Sequence, residues 1–359
     1  MNGSRSPDHK WSCSPPLSHS TQSLCNLGRN PTQFQVVYSL GSQRCIFLHT
    51  TGQRTPISFG LWVGGPGEKH QQMTWTILPQ GFRDSPHLFG QTLIQDLLDL
   101  DLGHNGKILQ YVDDLLICSP DEKNAQQHAT QVLNFLTERG YKVSYAKVQM
   151  WRSCAKVKTK VTYLGVQITH RSRRLSSDPV QGILQLPSPM TRKQLRAFLG
   201  LTGYCRIWIP NYGLIAQPLY ESLKRQDDSI PLMWGTPQKK AEATLKQGLI
   251  QAPALRLPDQ GKAFQLYVHE REGIALGVLT QRLASEPQPV AYLSKRLDPT
   301  AWGWPACLGN IPAIAIMIED ALKLSFGSKL TIFTSHQVKQ LLNGRGRLLS
   351  PCLFNSYAE

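Results

Sequence analysis

The sequence predicts an α+β protein in which an irregular N-terminal segment precedes three structured regions. Three observations lead to this prediction. Residues 1–69 are rich in Ser, Pro, Gly, Gln and Thr and keep no helical or strand period. From Met73 to His170 a helix, a hairpin, a second helix and further strands follow in order. Helical periodicity then dominates from 171 to 256, and strands return around one helix from 257 to 359.

The first helix and the hairpin after it are predicted from spacing and turn signals. In SPHLFGQTLIQDLLDLDLG, Pro86 suits a first helical position and apolar residues recur every three or four positions. KILQYV and DLLICS then read as two short strands joined tightly at Val112, Asp113 and Asp114. The two carboxylates are therefore expected at the tip of a hairpin.

The second helix is predicted over SPDEKNAQQHATQVLNFLTERG, with Ser119 as its cap and Gly140 at its stop. KVSYAKVQM and KVTYLGVQI are each expected to form a strand. In the helical region, Thr191 and Gln194 have capping-box spacing at the start of MTRKQLRAFLGLTGYCRIWI. A further helix, AEATLKQGLIQAPAL, is expected to close at Pro253.

The last region is predicted to contain strands FQLYVHE, ALGVLTQRL and PVAYLSKRL, a helix over 306–324 and a final strand LTIFTSH. Pro312 lies within the helical stretch. Inside a helix it would cost about 3 kcal/mol, and a helix that begins at Pro312 would be short. The sequence leaves both readings open.

Composition limits the class of protein. The chain has 359 residues and a formal charge of +15, with 39 Lys and Arg against 24 Asp and Glu. This excess favours a polyanionic partner such as nucleic acid over a merely basic soluble chain. The eight cysteines form no C-x-x-C pair, which favours a reduced intracellular protein. No apolar run is long enough for a membrane span, and the N-terminus lacks the apolar core of a signal peptide.

Asp113 and Asp114 need an explanation because adjacent carboxylates between apolar runs repel each other. One reading is an ordinary polar turn, since Asp favours turns. The other is a site for two Mg²⁺ ions, which take carboxylate oxygens and catalyse phosphoryl displacement. The dipeptide alone favours the polar turn.

The preceding residues favour the metal site. TWTILPQGFRDSPHLFG at 74–90, followed by QYVDDLLI, resembles the palm of a gammaretrovirus-like reverse transcriptase, as in endogenous retroviral Pol. VTYLGVQI resembles the primer grip of that family, LPSPMTRKQLRAFLGLTGYCRIWIPNY its thumb, and FQLYVHEREGIALGVLTQRL its connection domain. The resemblance implies a partial right-hand polymerase with a palm at 70–170 and a helical thumb at 171–256. A truncated α/β connection domain of ribonuclease-H-like fold, without a nuclease site, would follow at 257–359.

The resemblance also implies roles for individual residues. Asp113 would bind the catalytic metals, with Asp114 as its neighbour. The nucleotide site would include Gln80, Gly81 and Tyr111, and the primer grip would include Tyr163, Leu164 and Gly165. The implied cofactor is Mg²⁺, and the implied partners are an RNA or DNA primer-template and dNTPs. The oligomeric state stays open.

One part of the family pattern is missing. The family supplies a further Asp from an earlier strand, in a stretch close to WYTVLDLKDAFFCIPL, and no such text occurs before Met73. VVYSLGSQRCIFLHTT stands at about the right distance, and codon degeneracy permits the family stretch when it is read one base out of phase. The codon for the missing Asp would then be split between Gly41 and Ser42. We therefore expect residues 1–69 to be out of frame where the fingers and first palm strand belong; a genuine accessory or disordered segment is the alternative.

Other candidate site residues are weaker. His269 stands where relatives of this stretch typically have Asp, and His336 ends the later strand FTSH, which does not end with an acid. Surface positions are the simpler interpretation of both histidines. Tyr204 and Trp208 read as core packing. A basic group could contact primer-template phosphates or could face solvent, and it consists of Arg171, Arg173, Arg174, Lys193 and Arg196.

Three functions follow from these observations. The chain could be a working RNA-directed DNA polymerase, a non-enzymatic nucleic-acid-binding remnant, or a product that does not fold stably. A hairpin without its partner Asp cannot hold both metal ions, so we expect a reverse transcriptase domain without catalytic activity.

Overall fold

The computed structural model describes residues 36–41, 60–63, 71–74, 83–103, 106–143, 148, 161–169, 171–224, 232, 234–298 and 306–334. Their contacts divide the chain into two compact units, with the division between Arg171 and Ser172. Among the described residues, no helix is long and apolar enough to span a membrane.

The first unit contains a three-stranded antiparallel sheet with two helices. Its strands are β1 (Val36–Gly41), β4 (Lys107–Tyr111) and β5 (Asp114–Ser119), and β5 lies between the other two. The helices are α1 (Ser85–Leu98) and α2 (Glu122–Glu138). Two short strands, β2 (Gly60–Val63) and β3 (Gln71–Thr74), pair with each other, and β6 (Val161–Tyr163) pairs with β7 (Val166–Ile168).

The core of the first unit forms where α1 and α2 pack on β5. Leu115 and Ile117 share one face of β5 and contact apolar residues of both helices, while Leu116 and Cys118 are buried on its other face. The contacting side chains include Phe89, Leu93, Ala125, Ala129, Val132 and Leu136. The helical spacing of Phe89 and Leu93 is the periodicity that predicted α1.

The second unit begins with strand β8 (Ser172–Leu175), which pairs with β9 (Leu255–Arg256). Between them lie four helices: α3 (Ser177–Leu184), α4 (Arg192–Tyr204), α5 (Tyr212–Leu223) and α6 (Thr236–Ile250). The predicted capping box is confirmed, because Gln194 N–H donates to Thr191 Oγ1 and the Gln194 side chain accepts from Thr191 N–H. The helices bury one core, which includes Leu195, Phe198, Tyr212, Leu219 and Leu245.

A four-stranded sheet and one helix complete the second unit. The strands are β10 (Phe264–Arg271), β11 (Ile274–Leu283), β12 (Glu286–Arg296) and β13 (Leu330–Thr334), in the order β12-β11-β10-β13. β13 runs parallel to β10, and the other neighbours are antiparallel. Helix α7 (Ala306–Ser325) covers one face, and it contains Pro312 in its interior. Where β11 packs against α7, Gly277 is needed because a Cβ at this position would lie 2.9 Å from the Met317 sulfur.

Several details differ from the sequence prediction. KVTYLGVQI forms the hairpin β6–β7 instead of one strand, because Leu164 and Gly165 both have positive φ, at 50° and 72°. Asp121 caps α2 in place of Ser119, whose hydroxyl is buried against His128 Nδ1 at 2.7 Å. MTRKQLRAFLGLTGYCRIWI bends into a 3₁₀ turn after α4. The strand KVSYAKVQM lies largely outside the described residues.

Candidate active site

The site is built on the hairpin of β4 and β5. Tyr111 and Asp114 face each other in the strand register, and Val112 and Asp113 form the two-residue loop between them. Asp113 is exposed and Asp114 is half-buried. The prediction that both carboxylates lie at a tight hairpin is confirmed, although Asp114 is the first residue of β5 and not part of the loop.

The loop is held in a strained backbone conformation. Val112 has a φ of 54°, a left-handed conformation that is unfavourable for a β-branched residue. Its side chain is 41% exposed, so burial of the valine does not compensate for the strain. Strain of this kind is typical of positions where surrounding contacts fix the backbone for function.

Gln110 supplies such contacts. Its amide Nε2 donates to the carbonyl of Val112 at 2.9 Å and to the carbonyl of Gly90 in α1 at 3.1 Å. This side chain therefore fastens the loop to the helix that starts at Ser85. The sequence gives no signal for this role, because no periodic pattern distinguishes a bracing Gln from an ordinary strand residue.

The strand next to the hairpin differs from the expectation. The first palm strand was predicted to be absent, but β1 occupies the edge beside β5, with Gly41 directly opposite Asp114. Strand pairing uses main-chain groups, so it does not depend on the missing carboxylate. The side chains of β1, VVYSLG, include no acid. In the whole stretch from 9 to 67 the sequence contains neither Asp nor Glu.

Within the described part of the chain, the residues around the hairpin do not fit a two-ion magnesium site. Each hard cation takes six or more oxygen ligands, and two adjacent ions need carboxylates that reach both. Asp113 and Asp114 come from a single hairpin, and among the described residues no group of three His, Cys, Asp or Glu side chains is arranged to hold a metal. The predicted nucleotide-site residues Gln80 and Gly81 lie outside the described part of the chain, as does Ser42.

The residues assigned to the primer grip lie at the β6–β7 hairpin. The Tyr163 side chain is only 1% exposed and belongs to the core. Leu164 and Gly165 form the turn and are half-buried. Contacts from this segment to a bound strand would therefore come from the turn and its backbone rather than from the tyrosine ring.

The predicted basic group needs one correction. Arg173 is completely buried, and its guanidinium donates to the Val290 carbonyl at 2.9 Å and lies 5.7 Å from the ring of Trp208. Alternation along β8 turns this side chain into the interior, so it does not contact phosphates. Arg171, Arg174, Lys193 and Arg196 are exposed. Trp208 is buried, as its assignment to the core predicted.

Burial accounts for the protonation of two cysteine thiols. It raises the pKa of the Cys118 and Cys205 thiols to about 12 in each case, so both stay protonated and unreactive. His269 lies exposed on β10, and His336 falls outside the described residues.

Comparisons with known proteins agree with the fold described above. Residues 42–168 match the reverse transcriptase (RNA-dependent DNA polymerase) family, and residues 234–332 match the RNase H-like domain found in reverse transcriptase. The Gag-Pol polyprotein of Avian reticuloendotheliosis virus is 46% identical over 282 residues, which are 78% of this chain and 24% of the relative. The Gag-Pol polyprotein of Woolly monkey sarcoma virus is 40% identical over 89% of this chain and 18% of the relative.

Solved structures share the fold. A foamy viral protease-reverse transcriptase in complex with dsDNA aligns with a TM-score of 0.70 at 23% identity, over 92% of this chain and 64% of that chain. The same viral protein in complex with an RNA/DNA hybrid aligns with a TM-score of 0.70 over 92% of this chain and 43% of that chain. The present chain spans about a quarter or less of the curated relatives it matches. It belongs to the retroviral Pol reverse transcriptase family.

Proposed function

We propose that this chain is a reverse transcriptase domain that binds nucleic acid but does not catalyse DNA synthesis. The observation that carries this proposal is that β1, the strand beside the hairpin, carries no acid, and that Gly41 is its residue opposite Asp114. Transfer of a nucleotidyl group requires stabilisation of both the attacking and the leaving oxygen. Two carboxylates on one hairpin are insufficient for that task.

The test is primer extension by the purified chain on a primed RNA or DNA template. We expect no incorporation of dNTPs above that of an Asp113→Asn variant, with either Mg²⁺ or Mn²⁺. Circular dichroism of both proteins would establish that they are folded in the assay. Incorporation by the unmodified chain that Asp113→Asn abolishes would refute the proposal.

Binding of nucleic acid is proposed from the charge. Four cations of the predicted basic group are exposed, namely Arg171, Arg174, Lys193 and Arg196, and the whole chain carries +15. The structural relatives described above were solved with bound nucleic acid. We expect the logarithm of primer-template affinity to fall linearly with the logarithm of salt concentration, because phosphate contacts release counterions. A flat dependence would exclude this mode of binding.

A frame change is the proposed origin of the missing acid. Read one base later, the codons for Val36 to Thr51 are compatible with WYTVLDLKDAFFCIPL, and the Asp codon would span Gly41 and Ser42. The experiment is to sequence the coding DNA across codons 36–70. A shifted reading that encodes the acidic stretch would support the origin, and one interrupted by unrelated residues would contradict it.

A further inference from the structure

A cleft of about 380 Å³ opens on the face of the β10–β13 sheet that α7 does not cover. Its floor consists of side chains from all four strands, and the turn at Pro210 and Asn211 closes one side. Leu266 and Val268 of β10 are buried on the opposite face. Tyr267 and His269 alternate with them and therefore point into the cleft.

The cleft presents aromatic rings to solvent. Tyr267 and Phe333 occupy paired positions on β10 and β13, and their rings stack with centroids 4.9 Å apart and planes 15° from parallel. Each side chain remains 40% exposed, which is unusual for large rings on the surface of a folded unit. A third ring, Tyr292, is half-buried in the same cleft.

Polar groups surround these rings. His269 and Asn211 line the cleft and offer a ring nitrogen and a side-chain amide. Thr334, the last residue of β13, also lines the cleft, next to Phe333. Burial raises the pKa of Tyr292, so its hydroxyl keeps its proton at neutral pH.

We propose that this cleft binds an unpaired nucleobase. Flat heteroaromatic rings stack on exposed aromatic side chains of a sheet, and their edges donate and accept hydrogen bonds. The volume lies near the lower end of the range for small-molecule clefts, about 300–1,000 Å³. The chain charge of +15 favours a base attached to phosphate over a neutral or cationic aromatic compound. This inference rests on the proposed binding of nucleic acid and adds a site for bases to the phosphate contacts.

The experiment compares three probes by isothermal titration calorimetry with the whole chain. They are a single-stranded deoxyadenosine oligonucleotide, an abasic oligonucleotide of the same length, and deoxyadenosine monophosphate. We expect the strand with bases to bind about five- to hundred-fold more tightly than the abasic strand. Binding of the monophosphate with the same dependence on the rings would show that free nucleotides are a source of the base.

Variants of the cleft residues test whether the difference in affinity between the strands with and without bases arises at the cleft. Replacing both Tyr267 and Phe333 by Ala should remove the preference for bases and leave the affinity for the abasic strand unchanged. Tyr267→Phe should keep the preference, because the ring remains. Ile332→Ala is the matched control, because Ile332 neighbours Phe333, is 38% exposed and points to the other face of the strand.

The outcomes separate this inference from the proposed function. Equal affinity of the unmodified chain for strands with and without bases would overturn the nucleobase site, even if both bind in a salt-dependent manner. An equal loss of base preference in Ile332→Ala would also overturn it. Absence of binding by either strand at low salt would reject the proposed binding of nucleic acid itself.

Discussion

Arg173 lies in the basic run RSRR, and yet its guanidinium is buried between the Val290 carbonyl and the ring of Trp208. A buried cation of this kind is stabilised by the groups that surround it, and removing it also leaves a volume unfilled. The neighbouring Arg174 is exposed on the same strand. Two adjacent arginines therefore have different roles, one in packing and one at the surface.

We expect Arg173→Ala to lower the free energy of unfolding by about 2–4 kcal/mol, because it removes a buried hydrogen bond and the packing of a long side chain. Arg174→Ala should change it by less than about 0.5 kcal/mol. Urea titration followed by circular dichroism measures both. Equal effects of the two substitutions would contradict the assignment of Arg173 to the core.

His128 makes the stability of the first unit depend on pH. Burial lowers the pKa of its imidazole below 6.5, although Asp121 and a backbone hydrogen bond with Leu102 oppose this shift. The unfolded chain therefore binds a proton more readily than the folded chain. This contribution to stability is fully present above about pH 6.5 and is lost as the pH falls from there toward the lower pKa of the folded state.

We expect the melting temperature to fall between about pH 7.5 and pH 5.5, and to fall less in a His128→Asn variant, which retains a polar partner for Ser119 without titrating. Differential scanning calorimetry at both pH values measures the difference. A fall of the same size in both proteins would show that other groups cause the pH dependence.

At the scale of elements, the β1–β5 pair connects the fold to the proposed loss of catalysis. Residues directly opposite each other in an antiparallel pair carry side chains on the same face, with Cβ atoms about 4.5–5.5 Å apart. Gly41 and Asp114 form such a pair. A carboxylate introduced at Gly41 would therefore approach Asp114 closely enough to share a cation.

We expect Gly41→Asp to lower the melting temperature in the absence of divalent ions, because like charges directly opposite each other destabilise a sheet. Mn²⁺ should reverse this loss by binding the folded state, and it should not affect a Gly41→Asn variant. Thermal unfolding with and without Mn²⁺ tests the prediction. Failure of Mn²⁺ to stabilise Gly41→Asp selectively would argue against a cation site between these strands.

The elements differ in how well sequence alone predicts them. Helices α1 and α4 and the hairpin at Asp113 follow from periodicity, caps and turn residues, all of which are local. The burial of Arg173 and the brace formed by Gln110 depend on partners distant in the chain. Strand β1 could not be predicted, because its residues carry no lasting period and its place is set by pairing with β5.

At the scale of the whole molecule, the helices α3–α6 and the following sheet belong to one contact unit. The Gly213 N–H at the start of α5 donates to Ser294 Oγ of β12 at 2.9 Å, and Arg206 donates to the Ser294 carbonyl. The regions predicted as thumb and connection domain are therefore joined by direct hydrogen bonds. Cooperative unfolding of these two regions is the expected result.

We expect a fragment Ser172–Glu359 to unfold in a single transition, because it contains its own helical core and the contacts at Ser294. Circular dichroism and intrinsic tryptophan fluorescence should give coincident urea curves. Ser294→Ala should move the transition to lower urea while the two curves still coincide. Two separate transitions in the unmodified fragment would show that the helices and the sheet are independent.

The pairing of β1 with β5 has a consequence for how family membership and catalytic activity are inferred from retroviral sequences. A ladder between strands joins amide and carbonyl groups that nearly every residue possesses, so this strand pair forms whether or not β1 carries an acid. Similarity of fold therefore does not establish catalytic activity, which depends on where a few carboxylate oxygens lie. At Gly41, the residue opposite Asp114, an aspartate would differ from the glycine by a single carboxymethyl group.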